Sequence, residues 1–66
     1  MNDFGTWLKT TRKSRGMAQR ELASITGMRP CTICGYEKGR FYPSIYAVEQ
    51  LVDALGYELV IRERKA

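Results

Sequence analysis

Histidine is absent from this chain, while cysteine and proline occur twice each. Without imidazole the commonest general base is missing, and no nucleophile stands beside a base at a recognisable spacing. A glycine-rich phosphate cradle is missing too. Catalysis has almost no material, so the sequence reads as non-enzymatic and without a cofactor. The two thiols, Cys31 and Cys34, form CTIC. A zinc site would need two further ligands, and neither His nor a third Cys is there to supply them. Redox use of such a pair wants a strand–helix setting, whereas here a helix precedes it. Structural or incidental thiols are the favoured reading, and no metal is expected. No apolar run approaches 18 residues, so nothing reads as membrane-spanning. The N-terminal stretch MNDFGTWLKT lacks the basic region, apolar run and cleavage site of a secretory leader, and a cytoplasmic location is expected.

What is present fits one small domain spanning residues 1–66. A chain of 66 residues buries only about 60% of its extended surface, so an added interface would help it. Hydrophobic residues make up 44%, with four Tyr, two Phe and one Trp, too many for disorder. The net charge of +4 is unevenly placed. Residues 1–44 hold eight Lys or Arg against three acids, and residues 45–66 hold three against four. A basic front and a near-neutral back suit a polyanion on one side and a protein on the other. Charge alone also fits an ordinary solvated surface.

Four helices are expected. Asn2 or Asp3 can cap the first, along which Phe4, Trp7, Leu8 and Thr11 form a stripe, with Gly16 as its stop. Gly5 weakens its first turn. The second helix runs from Ala18 or Gln19 to Ile25 or Thr26, with Ala18 a poor cap. Gly27 turns the chain sharply, and Pro30 fits the first turn of a third helix ending near Glu37 or Lys38. Gly35 in its interior costs about 1 kcal/mol relative to Ala. After the loop GRFYPS, residues Ile45, Val48, Leu51, Val52 and Leu55 mark a fourth helix, stopped by Gly56. The tail YELVIRER then alternates, Tyr57, Leu59 and Ile61 on one side and Val60 on the other. A strand over 57–63, paired with the same strand of a second copy, is favoured over a fraying fifth helix.

Two short helices joined at a glycine make the unit that many proteins place against double-stranded DNA. Its reading face is expected on the first turns of the third helix, at Arg29, Pro30, Cys31, Thr32, Cys34 and Gly35. Arg29 could bond guanine or only phosphate. Thr32 could meet a base or simply help the helix start. Gln19, at the start of the second helix, could donate to phosphate. Arg15, Arg20, Lys38 and Arg40 are the nearest cations, and Gly39 could offer its backbone N–H. Each cation could equally face only solvent.

Residues 8–56 resemble the helix-turn-helix family of phage repressors and Cro proteins, with its Xre-type regulators and related antitoxins. The match rests on Arg12, the Gln19–Leu22–Ala23 unit, Gly27, Ile33, Tyr36, Glu37 and Gly39. The resemblance implies an all-α, lambda-repressor-like fold and an ion pair between Arg12 and Glu37. It also implies that Gln19 contacts phosphate and braces the reading helix, and that bases meet Pro30, Cys31, Thr32 and Gly35. Pro30 and Gly35 offer no side-chain hydrogen bond, and Arg29 and Ala18 replace the usual capping residues. The tail ALGYELVIRER resembles antitoxins of the HipB kind, in which a strand pairs across a dimer and the protein caps a toxin. The expected function is that of a homodimeric repressor on a palindromic operator. An antitoxin or other protein-interaction module is the alternative.

Overall fold

The computed structural model describes residues 3–64. Four helices follow one another: α1 (Phe4–Ser14), α2 (Gln19–Thr26), α3 (Pro30–Lys38) and α4 (Ile45–Ala54). Asp3 caps α1, its carboxylate accepting from the Gly5 N–H at 3.0 Å and the Thr6 hydroxyl at 3.0 Å. The other proposed cap, Asn2, lies outside the described residues. Ser44 caps α4 by accepting from the Ala47 N–H at 3.1 Å. Ala18 has no acceptor to offer, so α2 begins with only the return half of a capping box: the Ala18 N–H donates to Glu21 Oε1 at 3.0 Å. Pro30 occupies the first turn of α3, where an N–H would have had no helical partner.

Leu8, Leu22, Ala23, Ile33, Leu51 and Leu55 meet in one buried core, drawing a side chain from every helix. Met17 and Met28, at the corners between helices, close over it together with Phe4, Trp7 and Tyr36. α3 packs on α1 and α2, and α4 packs on α2. The crossing of α1 on α3 depends on Gly5. A Cβ there would collide with the Tyr36 carbonyl oxygen and lie 2.9 Å from that of Glu37. The glycine that weakens the first turn of α1 therefore lets the two backbones touch. Gly27, at φ +75°, supplies the left-handed turn between α2 and α3.

The expected C-terminal strand does not form. Among the described residues the fold is all-α, and the stretch after α4 carries neither strand nor bridge. Tyr57 is held to the helices. Its N–H donates to the Val52 carbonyl at 2.8 Å, and its ring meets Trp7 edge-on, centroids 5.4 Å apart. Beyond it Leu59, Val60 and Ile61 are all exposed, on both sides of the alternation. A period of two organises a strand only when a ladder lies alongside to receive its N–H and C=O groups. Four helices supply none. The alternation in Tyr57, Leu59, Val60 and Ile61 therefore has no face to sort against, and residues 57–63 form no dimerisation strand in this structure.

Candidate nucleic-acid interface

The C-terminal end of α3 is locked to two other helices through one carboxylate. Arg12 Nε donates to Glu37 Oε2 at 2.6 Å and Arg12 Nη2 to Glu37 Oε1 at 3.0 Å, a bidentate pair. Arg12 Nη1 donates to the Met17 carbonyl at 2.7 Å, and Gln19 Nε2 to Glu37 Oε1 at 2.9 Å. Helices α1, α2 and α3 thus converge on Glu37. Both ion-pair side chains are nearly inaccessible, at 7% and 2% exposure, yet no buried side-chain polar atom among the described residues lacks a partner. Burial by itself pushes the Glu37 carboxyl up. Hydrogen bonds from Arg12 and Gln19, with the positive charges of Arg12 and Lys9, outweigh this and hold it below its ordinary range. The Arg12 guanidinium is held above its ordinary range by its hydrogen bond to Glu37, against the opposing pull of burial.

The N-terminal end of α3 is open. Arg29, at the N-cap, has no side-chain acceptor, and Arg29, Pro30 and Cys31 are all exposed. Thr32 and Cys34 are half-buried on the flanks of the helix. Both cysteines are free thiols, and no group of three or more metal-ligating side chains occurs among the described residues. Ile33 faces fully inward. The first turn thus presents one long cation, a proline ring and a thiol to solvent.

The proposed phosphate contacts fall into three sets. Arg20, Lys38, Gly39 and Arg40 are exposed on α2 and at the end of α3. Gln19 is half-buried, with its amide nitrogen turned inward to Glu37. Arg15 stands apart from that group: its guanidinium lies over the Tyr57 ring, 5.2 Å from the centroid, which commits it to the base of the tail. Gly35, a base-reading position by resemblance, is buried, because the ring of Phe41 lies on it. Sequence reasoning placed Phe41 in a loop and gave it no role. The only signal for it was an aromatic residue just beyond a helix-ending glycine.

Comparison with known proteins agrees with this architecture. A family model described as "Helix-turn-helix" matches residues 8–61. An uncharacterized HTH-type transcriptional regulator of Methanothermobacter thermautotrophicus is 40% identical over 53 residues, 80% of this chain and 77% of that protein. The endothelial differentiation-related factor 1 homolog of Gallus gallus is 32% identical over 57 residues, 86% of this chain but 38% of that one. Among solved structures, the clp gene regulator ClgR from Corynebacterium glutamicum superposes with a TM-score of 0.79 at 30% identity, over 82% of this chain and 57% of that one. A chain in the HipA-HipB-O2-O3 complex superposes at 0.78 with 21% identity, over 94% of this chain and 87% of that one, a likeness of fold. This chain therefore spans little more than half of ClgR and about two fifths of the chicken protein. Domains of this type are non-catalytic, and no helix among the described residues is long and apolar enough to cross a membrane. With its braced α2–α3 unit and its matched family model, the chain belongs to the Xre/Cro-type helix-turn-helix family of DNA-binding regulators.

Proposed function

We propose that the chain is a transcriptional repressor that works as a homodimer, seating α3 of each copy in successive major grooves of a palindromic operator. The carrying observation is the contrast along α3: its far end is fixed by Glu37, while Arg29, Pro30 and Cys31 on its first turn stay uncovered. A rigidly held helix with an open first turn suits groove entry. Arg29 has the reach and the paired donors to bond guanine O6 and N7, Thr32 can meet a base edge, and Cys31 and Cys34 line the flank. Arg20, Lys38 and Arg40 supply charge for phosphates, the Gly39 N–H and the N-terminus of α2 at Gln19 supply backbone donors, and Arg15 serves only by leaving Tyr57. The naming of the archaeal relative as a transcriptional regulator supports the same reading.

Binding-site selection from random duplexes tests it. Two half-sites about 34 Å apart should emerge, one helical turn of DNA, with affinity falling steeply as salt rises. Absent or salt-insensitive binding would overturn the proposal. A second reading, capture of a partner protein such as a toxin, draws on the exposed Leu59, Val60 and Ile61 of the tail. Co-purification with the product of an adjacent gene, abolished by trimming residues 58–64, would favour it.

A further inference from the structure

Gly35 lies two residues beyond the fully buried Ile33, about 160° around the helix, and so at the middle of the outward face of α3. It is nevertheless buried. The cover is Phe41: a Cβ at position 35 would overlap the ring's Cζ and Cε1 and sit 3.1 Å from Cε2. The turn that brings the ring back is fixed by Gly39, at φ +74°, and by the Arg40 N–H donating to the Gly35 carbonyl at 2.9 Å. Tyr36 holds the ring edge-on, with centroids 5.2 Å apart. Even so, Phe41 remains 46% exposed. Its free surface stands where a side chain at position 35 would stand, beside the exposed Lys38 and Arg40.

That placement has a chemical consequence. A phenyl ring cannot read the donors and acceptors of the major groove. The one apolar group displayed there is the C5-methyl of thymine. We propose that Phe41, seated on Gly35, is a specificity-determining residue that packs against a thymine methyl in each half-site. The assignment rests on the operator-reading proposal above. In place of a polar side chain on α3, the reading surface borrows an apolar one from the following loop, and Gly35 is the vacancy that admits it.

The test uses the full chain and a duplex recovered by binding-site selection, with each thymine of a half-site replaced singly by deoxyuridine. This removes the methyl and keeps every base-pairing group. At one position the wild-type protein should lose about fourfold in affinity, the worth of one buried methyl. Phe41→Ala should bind the thymine and uracil duplexes equally. If circular dichroism shows Phe41→Ala unfolded, Phe41→Leu replaces it and should show a smaller uracil effect than wild type. Indifference of the wild type to uracil at every position would overturn the proposal, as would a full uracil effect in the Phe41 variant. Failure to bind any duplex would instead overturn the operator reading beneath it.

Discussion

The two ends of α3 are built on opposite plans. At its C-terminal end one carboxylate accepts three side-chain hydrogen bonds, two from Arg12 and one from Gln19, and the neighbouring carbonyls of Tyr36 and Glu37 rest against Gly5 of α1. At its N-terminal end Arg29, Pro30 and Cys31 are exposed and the cap has no side-chain bond. The lesson is a division of labour along nine residues. Placement is fixed by the inward-turned side chains of Arg12, Gln19 and Glu37, while the first turn is left uncovered.

Four experiments would break or sharpen this contrast. Glu37→Ala should act most strongly, because it leaves the Arg12 guanidinium buried without its partner. A loss of about 3–5 kcal/mol by urea denaturation is expected, enough to leave much of so small a chain unfolded. Gly5→Ala comes next. The added methyl meets two backbone carbonyls that cannot swing aside, so a destabilisation of about 1–3 kcal/mol should outweigh the gain in helix propensity. At the open end, Arg29→Ala should leave the urea midpoint unchanged while weakening operator binding by about 1–3 kcal/mol if it bonds guanine. A uniform loss across sequences, with a shallower salt slope, would assign it to phosphate instead.

The smallest effect is that of pH. Glu37 titrates below its ordinary range in the folded chain, so the unfolded chain takes up a proton first as pH falls. Its contribution is complete above the unfolded carboxylate pKa and drains away as pH drops through the folded value. Urea midpoints should therefore fall from about pH 5 downward, and fall less in Glu37→Gln. An identical acid slope in both proteins would move the sensitivity to another carboxylate.

The helices were legible because periodicity and punctuation agreed. Leu8, Leu22, Ile33 and Leu51 sit on the apolar stripes that the spacing marks out, and the ends fall near Gly16, Gly27, Gly39 and Gly56. The tail misled because alternation describes one strand, whereas a sheet needs a neighbour that a single sequence does not show. Arg12 and Glu37 are 25 residues apart, a separation with no periodic meaning. Only resemblance could couple them. Gly5 and Gly35 read as propensity losses within helices, and Gly35 also as a base-reading position by resemblance. Both are contact sites: Gly5 meets the distant carbonyls of Tyr36 and Glu37, beyond the reach of any local pattern, whereas the ring on Gly35 comes from Phe41 just past the helix-ending Gly39.

Because α1, α2 and α3 all meet at the Glu37 carboxylate, α3 has no private hinge. Tilting or sliding it would disturb the hydrogen bonds by which Arg12 of α1 and Gln19 of α2 hold Glu37. On the operator-reading proposal, movement of α3 is costly, and much of the accommodation would come from the nucleic acid, whose bending energy varies with its base steps. Bases the protein never touches would then still influence where it settles.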